Sequence, residues 1–325
     1  MKKYLPILVI MFFFSFAAVN CVLLYMSLSS GNQQAQTIVI ERGKSTHQIS
    51  NMLAEAGVIK YPSLFNFVAK VSGLLGYHLR SGEYAFMASV TPLQVLRIIV
   101  SGQSVVHKFT VVEGATVNEI IASIKKEPLL IGELDDNITE GFLMPATYFF
   151  SFGDSKQKLL SQMKRNMSDA LDELMPQLTQ DSPLKDRIAV LTMASIVEKE
   201  AYLESEKSHI AAVFLNRLKI GMKLQADPTT IYAITLGKYK LSRPLSRADL
   251  RMKSPYNTYY VLGLPPSPIA CPSRSSIEAV VKPMKSDDLY FVVNGLGGHN
   301  FSKTLQAHND NVANYKKSEA KAKID

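Results

Sequence analysis

Glu198 and Glu200 lie two residues apart in the run LTMASIVEKEAY (residues 191–202). The run holds strong helix formers and no Gly or Pro, so it is predicted helical. At about 100° per residue the two carboxylates point to nearly opposite faces. Glu200 shares its side with Met193 and Ile196, and Glu198 with Leu191 and Ala194. Val190, Leu191, Met193, Ala194, Ile196 and Val197 fall almost all the way round, the pattern of a helix enclosed by protein. A carboxyl in apolar surroundings resists ionisation, because desolvation penalises its charged form. Such an acid stays ready to donate a proton near neutral pH. The competing reading is a solvated last helical turn, in which Glu-Lys-Glu does no chemistry.

The elements around this run are expected to position it. Asp186 caps its start, and an amphipathic helix over 155–175 precedes it, with Leu159, Leu160, Met163 and Met167 on one face. After it, Ser205 or Ser208 caps a helix with Ile210, Val213, Phe214 and Leu218 inward, ended by Gly221. Asn216 and Arg217 sit near the end of that helix. Asp227-Pro228 reads as a further helix start, Asp at the cap and Pro in the first turn, with Gln225 just before it. The loop 254–259 (SPYNTY) and the Pro-rich turn 262–268 (LGLPPSP) mix aromatic rings with amides, as sugar binding requires. A strand over 289–293 leads to His299, and a polar helix from about residue 302 closes the chain, its Lys-rich end from Lys316 frayed. A lone His is more often a structural hydrogen-bonder than a site residue.

Towards the N-terminus the pattern VIERGKS (residues 39–45) recurs as VVEGAT (residues 111–116), each a strand, a Gly turn and a capped helix. Between the two copies lie a helix over 62–72, a strand over 82–86 and a helix from Thr91-Pro92 to Gly102. The fold class is therefore α+β. A strand followed by G-x-[ST] and a helix also suits the start of a LysM-type wall-binding module, although a generic small α+β domain fits the same residues. The expected organisation is a cytoplasmic stub and membrane helix (1–29), a linker (30–36), a LysM-like α+β subdomain (37–105), a second α+β connecting region (106–184), a mainly helical α+β catalytic domain (185–318) and a tail (319–325).

The net charge of +8 over 325 residues points to an anionic neighbourhood. Membrane phospholipid, an acidic wall polymer and nucleic acid qualify. No nucleic-acid motif appears, and the first segment argues against that option. Met1-Lys2-Lys3 precedes an apolar run over 4–26, long enough to span a bilayer and longer than a cleaved signal core. Lys2 and Lys3 favour a cytoplasmic N-terminus, with the body outside the cytoplasm. Two cysteines, Cys21 in the apolar run and Cys271 in the body, make no disulfide framework. The His residues show no metal-ligand spacing, so neither metal nor cofactor is expected.

Seven segments occur in order: ASIVEKEA (194–201), FLNRL (214–218), LQADPTTIY (224–232), LSRADL (245–250), SPYNTY (254–259), GLPP (263–266) and GGHNF (297–301). Together they closely resemble the endolytic murein transglycosylases of the bacterial inner membrane, the MltG or YceG-like family, over nearly the whole chain. The resemblance implies internal cleavage of nascent peptidoglycan strands between N-acetylmuramic acid and N-acetylglucosamine, leaving a 1,6-anhydro end and ending elongation. It implies a single-pass protein with its catalytic body in the periplasm. It further implies association with peptidoglycan synthases and the elongation or division machinery. The family's catalytic acid falls on Glu200, with Glu198 as a supporting residue. Candidates for holding the glycan are Asn216, Gln225, Asp227, Tyr256, Asn257, Tyr259 and His299. The chain departs from the family pattern at Ala146, where the family has Asp, and at Ser267, Cys271 and Ser273 in the Pro-rich segment. Two other readings fit these residues: a hydrolytic muramidase using the same Glu with water, and a membrane-tethered wall-binding scaffold without catalysis.

Overall fold

The computed structural model describes residues 4–28, 32 and 34–322. The Lys2-Lys3 flank, parts of the expected linker and the last three residues of the expected tail lie outside them. The chain divides into two units, residues 1–108 with 149–154, and residues 109–148 with 155–325.

The first unit opens with α1 (Leu5–Ser27), whose apolar stretch is long enough to cross a membrane. It continues with β1 (Gln36–Ile40), α2 (Thr46–Glu55), α3 (Pro62–Leu74), β2 (Gly82–Phe86) and α4 (Pro92–Ser101). β1 and β2 pair antiparallel, Ile38 opposite Tyr84. Inward residues of the pair, Ile38, Ile40, Tyr84 and Phe86, meet Ile49, Leu53, Phe65, Val95 and Ile99 from the helices in one core. Helix starts follow local chemistry: Ser45 and Thr91 form capping boxes with Gln48 and Gln94.

Next come β3 (Val106–Thr110), α5 (Val117–Lys126) and β4 (Thr147–Ser151), with β3 paired to β4. The strand expected at the start of VVEGAT thus ends before it, at Thr110, because Val112 already enters the turn before Thr116, the N-cap of α5. The rest of the second unit is mainly helical: α6 (Lys156–Leu174), α7 (Arg187–Glu200), α8 (Lys207–Lys219), α9 (Asp227–Thr235), α10 (Arg247–Leu250), α11 (Arg274–Val281), β5 (Tyr290–Val293), β6 (His299–Ser302) and α12 (Leu305–Ala322). The last helix runs past Lys316, where fraying was expected.

α7 is the axis of this unit. Every residue from Val190 to Val197 is buried, and the helix packs on α8, α9 and α11. Burial of each large aliphatic side chain contributes about 1.5–3 kcal/mol, which is why the helix tolerates so few polar groups. Ser195 is one of them. Its hydroxyl donates to the Thr192 carbonyl (2.7 Å) and accepts from the Ile269 amide (3.0 Å), so the Pro-rich segment is tied to α7. Gly141 sits under the same segment with φ +86°, and a Cβ there would lie 2.5 Å from Pro268 Cβ. Gly141→Ala is expected to cost about 1–3 kcal/mol through this overlap, with further backbone strain, read as a lower urea midpoint at unchanged slope.

Candidate active site

The two carboxylates of the Glu-Lys-Glu run have opposite surroundings. Glu198 has a side chain only 6 % exposed and fully occupied. It accepts the Ser273 amide (2.8 Å), the Ser273 hydroxyl and the Ser276 hydroxyl (2.7 Å). Lys207 Nζ lies 3.5 Å from its other oxygen. Ser273 is the N-cap of α11, so Glu198 sits against free amides at a helix start, where a negative charge is favoured.

Glu200 is the last residue of α7, at the negative end of that helix's dipole. Among the described residues, none donates a hydrogen bond to its carboxylate. Burial, then the negative charge of Asp227, push its pKa up to about 7, against a smaller lowering by Arg217. The side chain is partly buried and lines an open cavity of about 330 Å³. Phe214 and Arg217 from α8, Gln225, Asp227, Tyr259, Tyr290 and Phe291 from β5, and Leu305 and His308 from α12 complete the lining.

Each wall is held by named bonds. Gln225 has φ +53°, a conformation unfavourable by about 1–2 kcal/mol for a residue with a Cβ. Thr258 holds it there: its carbonyl accepts the Gln225 amide, and its hydroxyl accepts the Ala226 amide (3.0 Å) and pairs with the Thr229 hydroxyl (2.8 Å). Asp227 is the first residue of α9 and does not cap it. Its carboxylate accepts the Tyr259 hydroxyl (2.6 Å), which corrects the expected helix cap. Burial, then that bond, push the Tyr259 phenol well above its ordinary range, so it keeps its proton and donates it to Asp227. Arg217 is buried and donates to the Leu289 (2.6 Å) and Leu224 (2.5 Å) carbonyls, which fixes its charge in the wall of the cavity that Glu200 lines.

The structure therefore brings Gln225, Asp227 and Tyr259 into the cavity with Glu200. The other expected residues serve elsewhere. Asn257 is fully buried, donating to the Met252 and Leu250 carbonyls and accepting from the Thr230 hydroxyl and the Tyr259 amide. It shapes the loop that presents Tyr259. Tyr256 bonds Ser267 (2.7 Å) and packs on the Tyr232 ring. Asn216 donates to the Ser286 and Asp288 carbonyls. His299, 4 % exposed, pairs with Glu206 (2.6 Å). Ser205 and Ser208 do not cap α8, which begins at Lys207. Cys271 is buried, and burial pushes its thiol far up, so it is no nucleophile.

Sequence reasoning missed Tyr290, Phe291 and His308. Burial and the Arg217 charge lower the His308 pKa, so its ring is neutral at pH 7. The ring stacks on Tyr290 at 5.3 Å, and its buried Nδ1 has no partner among the described residues. Nothing local marks this His, because only the folding of α12 against β5 brings it to Glu200. A cavity with one acid raised to about 7, a second carboxylate, an exposed amide, a phenol oxygen that can accept and two aromatic faces can protonate a leaving oxygen and bind a polyhydroxylated ligand.

Comparison with known proteins supports the same class. The model of the YceG-like family matches residues 38–314. The chain is 34 % identical over 307 residues to the endolytic murein transglycosylase of Bacillus subtilis (strain 168), covering 84 % of this chain and 82 % of that one. It is 26 % identical to the endolytic murein transglycosylase of Streptococcus pneumoniae serotype 2, covering 89 % of this chain and 60 % of the longer relative. Among solved structures, a YceG-like protein from Listeria monocytogenes superposes with a TM-score of 0.55 at 32 % identity, covering 85 % of this chain and 98 % of that one. The chain belongs to the YceG-like family.

Proposed function

We propose that this protein is a membrane-anchored endolytic transglycosylase that cuts peptidoglycan glycan strands between N-acetylmuramic acid and N-acetylglucosamine, with Glu200 as its acid and base. The observation that carries the reading is the isolation of Glu200: a largely enclosed carboxyl, with no donor to its charge among the described residues, facing an open polar and aromatic cavity. Glu200 starts protonated and passes its proton to the glycosidic oxygen as the bond to the muramic C1 breaks. The C6 hydroxyl of the same sugar attacks C1, and its proton returns to Glu200, leaving a 1,6-anhydro end. The substrate holds its own nucleophile in place, so no protein nucleophile and no water are consumed. Tyr259, Gln225 and the neutral His308 offer hydrogen bonds to the glycan, and Tyr290 and Phe291 offer ring faces.

Asp227 gives hydrolysis by the same acid some support, since a second carboxylate can activate water. Mass spectrometry of digests separates the two outcomes, because an anhydro end is lighter than a reducing end by one water. Reducing ends alone would replace transglycosylation with hydrolysis. The β1–α2–α3–β2 order fits a LysM-like wall-binding module, tested by pull-down of the full chain on purified peptidoglycan. For α1, Lys2 and Lys3 favour a cytoplasmic N-terminus and a periplasmic body.

The raised pKa sets the pH dependence. The protonated form of Glu200 is the active one, so kcat/KM is expected to fall as pH rises through about 7. Asp227 contributes to the rise, so Asp227→Asn should move that falling limb to lower pH. A limb that stays in place in Asp227→Asn would remove Asp227 from the electrostatics of the acid.

A further inference from the structure

The first unit carries an apolar stripe that no part of the unit covers. Phe67, Val71 and Leu74 on α3 follow at i, i+4 and i+7 and so share one helix face. Leu75 and Tyr77 extend the stripe beyond the helix end. Their exposures are 58, 40, 87, 72 and 61 % in chain order, whereas Phe65 and Ala69 of the same helix are buried in the core. Such a concentration of large exposed side chains marks a contact surface rather than scattered apolar residues. The stretch that carries it, residues 56–82, holds charge of one sign. Lys60, Lys70 and Arg80 are exposed, and no Asp or Glu occurs between Glu55 and Glu83.

The anchor places this stripe. The last turn of α1 packs into the same unit: Met26 is 4 % exposed within its core, and the Tyr25 ring lies 5.6 Å from that of Tyr61. The Tyr25 hydroxyl donates to the Tyr61 carbonyl (3.3 Å), one residue before α3 begins. At about 1.5 Å per residue, α1 is roughly 34 Å long, close to the ~30 Å of a bilayer's hydrocarbon. Tyr25, two residues from the end of α1, then falls at the lipid boundary, where tyrosine is enriched. The first turn of α3 is at that same level.

We propose that α3 and the turn after it form a lipid-seated face. The Phe67–Leu74 stripe and Tyr77 enter the boundary region of the bilayer that α1 crosses, and Lys60, Lys70 and Arg80 meet anionic headgroups. The unit is then fastened at two points, α1 and α3, and cannot swing out on the short segment between α1 and β1. The proposal rests on the reading of α1 as a membrane-spanning helix.

The chain contains no tryptophan, so one introduced Trp reports its own surroundings. Full-length Leu74→Trp and Tyr77→Trp proteins, reconstituted in phosphatidylcholine vesicles with a minority of phosphatidylglycerol, are compared with and without lipids brominated near the headgroup end of the chains. Emission is expected to fall by about half or more, as for side chains lying within 5–10 Å of the headgroup boundary. Adding Lys60→Glu and Lys70→Glu should weaken that quenching. Phe12→Trp in α1, read with lipids brominated at mid-chain, tests the anchor separately. Quenching at Phe12→Trp with full emission at Leu74→Trp and Tyr77→Trp leaves the anchor standing and overturns the lipid-seated face, assigning the stripe to a protein partner instead. No quenching at Phe12→Trp overturns the anchor and the proposal together.

Discussion

Glu200→Gln is expected to lower kcat on purified glycan strands by about 10²–10⁴-fold, the usual contribution of a positioned acid–base group. The substitution keeps the shape of the side chain and its amide needs no ionisation, so the cavity wall formed by Gln225, Asp227 and Tyr259 stays in place. Stability should move the other way. The folded pKa of about 7 is raised above the ordinary 4.5. The stability that Glu200 contributes is therefore present in full below pH about 4.5 and lost as pH rises through about 7. Glutamine has no such loss. Thermal unfolding of the variant at pH 8 should match or exceed wild type, and the pH dependence of stability between 5 and 7 should flatten. Wild-type rates of anhydro-end formation in Glu200→Gln would sink the assignment of the acid. Lost activity with a lower melting temperature at pH 8 would instead mean that the side chain supports the fold.

The carboxylate pair was legible in the sequence because periodicity carries it, while the choice of Glu200 over Glu198 came from the family resemblance. A helix apolar on nearly all sides with a carboxylate two residues from its partner forces one of the two into a special environment, and helical geometry alone puts them on different faces. Helix starts were equally readable where the cap is local: Ser45, Thr91, Thr116 and Asp186 each accept the backbone amide three residues on. What failed was the direction of polar groups in loops. Asn257, Asn216, Tyr256 and His299 have the chemistry of ligand binders, yet backbone carbonyls, Ser267 and Glu206 take up their hydrogen-bonding groups. Irregular chain buried beside a core must satisfy its own carbonyls, and amide side chains are the available donors. Asp227 failed as a cap for a related reason: the Tyr259 hydroxyl, 32 residues away, takes its carboxylate. His308 and Arg217 reach Glu200 only through tertiary packing, which no spacing encodes.

The second large effect concerns the other glutamate. Glu198→Ala is expected to cost about 3–5 kcal/mol of stability, because it removes the one buried carboxylate beside a buried cation and leaves several donors unmatched. The Lys207 side chain is 5 % exposed, and its Nζ sits among Glu198 (3.5 Å), Glu204 (2.8 Å), Ser273 (3.0 Å) and Ser275 (2.9 Å). Of its carboxylate partners Glu198 alone is buried, while Glu204 and Glu113 are open to water. The Ser273 amide and the Ser276 hydroxyl lose their acceptor in the same step, so α11 is untied from α7 at its first turn. At roughly 2–4 °C per kcal/mol for a unit of this size, the melting temperature should fall by roughly 6–20 °C. Glu198→Gln keeps an acceptor for Ser273 and should cost less. Lys207→Met alone should also destabilise. Adding it to Glu198→Ala should recover part of the loss, since the stranded charge is gone, and the double-mutant cycle reads that coupling directly. Residual activity per folded molecule should remain well above that of Glu200→Gln, because Glu198 lies outside the cavity and holds the helix whose last residue is the proposed acid. A Glu198→Ala protein that melts with wild type but loses all turnover would put this carboxylate in the chemistry instead.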